Sequence, residues 1–262
     1  MLRILFVGDV SGSPGRRAVG ELLGALRARL DAHFVIMNGE NAAGGLGITK
    51  TTASALFDAG ADVITLGNHA FAKRDAASYY EEEPRILRPV NFPPGVPGRG
   101  WGLFRAAGGN TLAVANLLGR TFMSPIDCPF RAADAVLAEI DGDPRVVVVD
   151  MHAEATSEKV AMGWYLDGRA SAVIGTHTHV QTSDERVLPK GTAYITDVGM
   201  TGVRDSVLGL DVESVIRRFK TQVGGKFTVA EGDGTLQAVA LDIDENTGRA
   251  ASISRISVDE DE

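Results

Sequence analysis

Four of the five histidines lie directly after apolar runs: His69 in VITLGNHA, His152 in VVVVDMHA, and His177 and His179 in SAVIGTHTHV. Asp9 in FVGDV, Glu40 and Asn41 in MNGEN, and Asn68 in LGNH occupy the same kind of position. Ligands bind in the crevice outside the carboxyl ends of strands in an α/β sheet, so neutral imidazoles gathered there beside hard oxygen donors point to a metal site. His177 and His179 stand two apart. In an extended segment such residues project to one side, which lets both rings reach adjacent ligand positions. Three imidazoles, two carboxylates and an amide oxygen exceed what one tetrahedral ion accepts, and suit two ions. A carboxylate shared by two cations holds them ~3.5 to 4 Å apart, as in two-metal phosphoryl chemistry. Glu40, between the early and late donor groups, is the candidate bridge.

Strands alternating with helices must present these residues. ILFVGDV reads as a strand and PGRRAVGELLGALRARL as a helix, with Ser13 as its cap, Pro14 at its first position and Val19, Leu22, Leu23, Leu26 and Leu30 on its buried stripe. FVIMNGEN is a second strand, followed by the glycine-rich turn AAGGLGIT and a helix from about Thr51 to Ala59. ADVITLGNH repeats the strand-to-site pattern. TLAVANLLG, RVVVVDMH, SAVIGTH and TAYITDVG read as later strands, with helices RAADAVLAEI and TSEKVAMGWYLDG between them. This order predicts βαβ units and a largely parallel sheet. After the helix DVESVIRRFK, whose Val212, Val215, Ile216 and Phe219 share a face, KFTVA, TLQAVALDID and ASISRISV read as antiparallel strands. The sheets are therefore expected to be mixed. The proline-rich stretch 84–100 reads as a structured loop, in which Arg88 and Arg99 are candidates for steering an anionic substrate.

With 262 residues the chain is long enough to bury roughly 70 to 75% of its unfolded surface, so one domain over 1–257 with a short acidic tail at 258–262 accounts for it. A net charge of −8 disfavours non-specific binding to nucleic acid or anionic membranes, leaving a small phosphorylated substrate as the expected partner. A homo-oligomer stays open. The opening MLRILFVGDV carries no cleavage signal, and the single cysteine, Cys128, forms no internal disulfide, so a cytoplasmic location is expected. Neither glycine-rich turn matches a nucleotide-cradling motif, and Asp9 at the mouth of the first repels phosphate unless a cation intervenes.

VGDV, NGEN, LGNHA, MHAE and GTHTHVQT, in this order, resemble the motifs of the calcineurin-like metallophosphoesterases: Asp-x-His, Gly-Asp, Gly-Asn-His, His and Gly-x-His. NGENAAGG, RPVNFPPG and AYITDVGMTG resemble more narrowly the YmdB-type subgroup, to which 2′,3′-cyclic nucleotide phosphodiesterase activity is attributed. The resemblance implies a mixed β-sandwich flanked by helices in four layers (αββα). It implies one metal held by Asp9, Glu40, Asn41 and His179, another held by Glu40, Asn68, His152 and His177, and attack on phosphorus by a hydroxide bridging the two. His69 is left over as a catalytic residue, a general acid for the leaving oxygen. Ser11 stands where most members have the histidine of Asp-x-His, and Glu40 followed by Asn41 where they have a bridging aspartate. The subgroup shows the same exchange, and trading an imidazole for an amide oxygen favours iron or manganese over zinc. A broad phosphomonoesterase would use the same ligands, and a metal-stabilised RNA-associated regulatory module is the reading from another class. His33 is expected to be structural.

Overall fold

The computed structural model describes residues 1–141, 143–223, 225 and 227–261. The first sheet takes β1 (Leu2–Val7), β2 (Asp9–Val10), β3 (Phe34–Asn38), β4 (Val63–Thr65) and β5 (Ile86–Leu87) from the N-terminal part of the chain. The second contains β6 (Trp101–Arg105), β7 (Thr111–Leu118), β8 (Val147–His152), β9 (Ala172–Thr176), β10 (Arg186–Val187) and β11 (Ala193–Ile195). The chain then returns to the first sheet as β12 (Met200–Val203), β13 (Gly234–Ile243) and β14 (Ala250–Asp259). Spatial order is β2-β12-β13-β1-β3-β4-β5 in one sheet, with β14 also on β13, and β10-β11-β9-β8-β7-β6 in the other. β1, β3, β4 and β5 run parallel, as do β7, β8, β9 and β11. The remaining pairings of β13, and those of edge strands β6 and β10, are antiparallel.

Alternation along β1 sets the layers. Ile4 and Phe6 point into a cluster shared with Ile36, Val114, Val148 and Ile174, which is the contact between the sheets. Leu5 and Val7 point the other way, to a cluster containing residues of helices α1 (Gly12–Leu30), α2 (Lys50–Asp58) and α3 (Ala76–Glu82), among them Val19, Leu23 and Leu56. On the far face of the second sheet, Val147, Val149 and Val173 pack on Val136 and Ile140 of α4 (Pro129–Ile140) and Met162 of α5 (Thr156–Tyr165). The order is helices, sheet, sheet, helices. Central strands covered on both faces must be apolar throughout, which is why FVIMN and VVVDMH read as continuous runs.

Several local expectations are corrected. Helix α1 begins at Gly12 with Ser11 as N-cap, without a side-chain cap bond, because β2 holds the chain extended up to that point. Within 84–100, the buried pair Ile86 and Leu87 joins the edge of the first sheet beside β4. KFTVA forms no strand. Its Val229 makes one isolated bridge to Leu210, β13 being already paired by β1, β12 and β14, and its Lys226 lies outside the described residues. The acidic tail expected at 258–262 begins inside a strand: β14 runs through Asp259, and Glu260 accepts from Arg17 at 2.9 Å; Glu262 lies outside the described residues. On α6 (Val212–Thr221) only Val215 is buried, whereas Ile216 and Phe219 are 50% and 76% exposed. Amphipathic spacing shows which face is apolar, and does not show what covers it.

Candidate metal centre

Each donor sits where its strand stops. Asp9 follows the end of β1 and opens β2, Glu40 and Asn41 follow β3, and Asn68 and His69 follow β4, all on the first sheet. His152 is the last residue of β8, and His177 and His179 follow β9, both on the second. Five of these eight residues, Glu40, Asn41, His69, His177 and His179, are in the walls of one opening of about 350 Å3. Asp9 and His152 are fully buried.

Glu40 is the hub. Its Oε1 is 3.2 Å from His152 Nε2 and accepts from Asn41 Nδ2 at 3.2 Å, while Oε2 accepts the backbone N–H of His69 at 3.1 Å. One ligand atom each of Glu40, His152 and His177 falls within 4.8 Å of the others. His152 Nε2 also lies 3.1 Å from Asn68 Oδ1 and 3.0 Å from His177 Nδ1. On the other side of Glu40, His179 Nε2 is 3.7 Å from Asp9 Oδ1 and 3.3 Å from Asn41 Nδ2. His69 Nδ1 meets Asn41 Oδ1 at 2.8 Å.

The outward nitrogen of each of the three imidazoles is committed to an oxygen. His152 Nδ1 lies 2.8 Å from Thr176 Oγ1, whose own hydroxyl donates to Asp150 at 2.6 Å, so the ring nitrogen must be the donor. His177 Nε2 lies 3.1 Å from the Glu154 carboxylate, and His179 Nδ1 donates to the carbonyl of Leu208 at 3.1 Å. The inward nitrogens of His152 and His177 then face each other beside Glu40, and that of His179 faces Asp9 Oδ1, a buried oxygen with no hydrogen-bond partner. Lone pairs do not gather unless a cation joins them. Gly67 adds to the fit, because a Cβ there would collide with His152 and Glu40.

The electrostatics agree. Burial opposes charge on Asp9 and Glu40, yet the imidazoles of His179 and His152 hold Asp9 below, and Glu40 well below, the usual carboxylate range. Burial also opposes a proton on His152, but Glu40, Asp9 and Asp150 push it up to about 9. Burial and the charge of His152 push His177 down to about 3. The buried carboxylates thus draw in positive charge, and protons supply it when metal does not.

The argument that His177 and His179 share a side of an extended segment is corrected. β9 ends at Thr176, and both histidines have left-handed backbone, with φ of 94° and 62°. What holds them is Asp9 together with residues the sequence did not single out. Asp9 Oδ2 accepts the His177 N–H at 3.1 Å, and Asp197 accepts both the N–H and the hydroxyl of Thr178, at 2.9 and 2.6 Å. Fully buried Lys159 pairs with Asp197 at 2.7 Å. An unpaired lysine within a helix pattern was the only signal available. Arg88 spends its guanidinium on the carbonyls of Pro89, Val96 and Pro97, and so holds the proline-rich loop. His33 accepts the Arg3 N–H at 3.0 Å, a structural role.

Carboxylate, carboxamide and imidazole donors converging at the strand ends of an αββα sandwich define a metallophosphoesterase-type phosphoric ester hydrolase. The chain belongs to the YmdB-like protein family, which matches residues 5–256. It is 54% identical over 260 residues to a 2′,3′-cyclic-nucleotide 2′-phosphodiesterase of Bacillus subtilis, covering 99% of this chain and 98% of that one. A crystal structure of a hypothetical protein from Thermus thermophilus superposes with a TM-score of 0.93 at 46% identity, covering 99% and 100% of the two chains. A phosphatase from Mycoplasma pneumoniae superposes at 0.92 with 34% identity, covering 98% and 93%. No described helix is long and apolar enough to cross a membrane.

Proposed function

We propose that this chain hydrolyses 2′,3′-cyclic nucleotides at a site holding two metal ions, iron or manganese. The observation that carries the metal reading is the gathering of one ligand atom each of Glu40, His152 and His177 within 4.8 Å of one another, beside His179 Nε2 facing the orphaned Asp9 Oδ1 at 3.7 Å. The B. subtilis relative's activity supports the substrate. Asp9, Glu40, Asn41 and His179 would hold one ion and Glu40, Asn68, His152 and His177 the other. When bound, the ions supply Lewis acidity that lowers the pKa of water and neutralises charge on the phosphoryl oxygens.

The remaining work falls to the chain. Glu40 sets the spacing, and Thr176, Glu154 and the Leu208 carbonyl fix each imidazole's tautomer. An amide nitrogen is no ligand, so ligation by Asn41 would require its carboxamide to turn over from the orientation seen here, giving its oxygen to the ion and its NH2 to His69 Nδ1. That would place the ring N–H of His69 on Nε2, from which it could pass to the leaving oxygen. Rates on 2′,3′-cyclic AMP, 3′,5′-cyclic AMP and nucleoside monophosphates, measured side by side with manganese or iron, test the reading. The expected order has the 2′,3′-cyclic diester first. A monophosphate turned over faster overturns it in favour of a phosphomonoesterase.

A further inference from the structure

Glu154 stands at the mouth of the opening with its side chain 51% exposed, 3.1 Å from His177 Nε2. It lies beside a site expected to receive an anion. No lysine or arginine is among the described residues that line this opening, and Leu208 and Leu210 form its apolar wall. Lys159, beneath the His177–His179 loop, is fully buried and paired with Asp197. Sites built for phosphate dianions supply guanidinium or ammonium groups to match both charges. This mouth supplies a carboxylate.

We infer that Glu154 is a specificity-determining residue that makes the site select phosphoesters bearing a single negative charge and reject phosphomonoester dianions. The inference rests on the two-metal diesterase reading. Two divalent ions against Asp9 and Glu40 leave the site net positive, a field that attracts a dianion more strongly than a monoanion. Glu154 removes part of that excess where substrate enters. The same charge acts after the reaction. Water adds to phosphorus, the ester P–O bond breaks and its oxygen takes a proton, so the diester monoanion becomes a monoester whose second proton leaves above a pH of about 6. The product gains a charge that the substrate lacked, and Glu154 favours its departure.

Glu154→Gln is the test, because glutamine keeps an oxygen that can accept from His177 while removing the charge. With metal-loaded protein, the ratio of kcat/KM for adenosine 3′-monophosphate to that for 2′,3′-cyclic AMP is expected to rise roughly tenfold, the scale of one added charge contact near a surface. Calorimetric affinity for adenosine 3′-monophosphate is expected to rise in parallel. An unchanged ratio with metal content intact overturns the inference and leaves the diesterase reading standing. Loss of metal in Glu154→Gln also overturns it, by showing that the carboxylate acts only through His177. A wild-type protein that prefers the monophosphate defeats the diesterase reading itself, before any variant is compared.

Discussion

The first sheet supplies the oxygen donors of the site, Asp9, Glu40, Asn41 and Asn68, whereas the second supplies the three converging imidazoles, His152, His177 and His179. The two halves are built differently. On the first sheet each donor follows from where a strand stops, and none of the four has a left-handed backbone. On the second, His177 and His179 sit in the left-handed region, which costs on the order of 1 to 3 kcal/mol each and persists only where surroundings over-determine it. Here Asp9, Asp197 and Lys159 do so from beneath the loop. Carboxylates and carboxamides reach a strand-end crevice on ordinary backbone. Two rings only two residues apart reach opposite sides of Glu40 only when the chain between them is bent and pinned.

Removing the hub that both halves share should have the largest effect. Glu40→Gln is expected to bind little metal and to lose on the order of 10³-fold in kcat/KM. Metal analysis beside kinetics checks this, and a variant retaining two ions per chain with near wild-type turnover would break the proposed division at its centre. Next in size is the support of the second half. Lys159→Met strands a buried carboxylate at Asp197, at a cost of about 3 to 5 kcal/mol. It should lower Tm and weaken metal affinity roughly 10- to 100-fold. If stability falls but metal affinity does not, the ion pair serves the fold alone and the contrast between the halves is overstated.

Legibility follows the same division. Asp9, Glu40, Asn41, Asn68 and His152 could be found in the sequence because each ends an apolar run, and strand ends are where an α/β sheet binds. The four layers were legible through the family resemblance; patterning alone pointed to βαβ units and mixed sheets. The conformation of the His177–His179 loop was not legible. Its bend depends on Asp197 and Lys159, which lie 18 or more residues from His179 in sequence and carry no local pattern. Thr176 and Leu208 were invisible for a similar reason, since one acts through a hydroxyl and the other through a backbone carbonyl. The apolar stripe of α6 was legible as a stripe, but the sequence did not show that Val215 alone of it is buried.

A smaller change probes how the second half orients its rings. Thr176→Val removes the oxygen that His152 Nδ1–H meets at 2.8 Å and that relays the ring to Asp150. The ring then loses its fixed tautomer, and metal affinity should fall about tenfold. Thr176→Ser, which keeps the hydroxyl, should restore most of it. Equal losses in both variants would place the effect in packing and not in the hydrogen bond.

The gentlest probe is pH, because it acts on protons that only the second half holds. In metal-free protein His152 is pushed up to about 9 and His179 is also raised, while His177 is pushed down to about 3 and Asp9 and Glu40 stay ionised. Ligation needs neutral imidazoles, so metal uptake at pH 7 must displace the proton of His152 and part of that of His179. The expected release is therefore between about one and two protons per chain, measured by calorimetry in buffers of different ionisation enthalpy. Apparent affinity should rise by about tenfold per pH unit for each proton released and level off above a pH of about 9. Stability of the metal-free protein should move the other way. A raised histidine stabilises the fold fully below its unfolded value of 6.5 and loses that contribution as pH climbs through about 9. Metal-free protein should thus weaken, and metal-loaded protein hold, over the same interval. No proton release would mean that the imidazoles are already neutral and that the carboxylates of the first sheet do not charge the second.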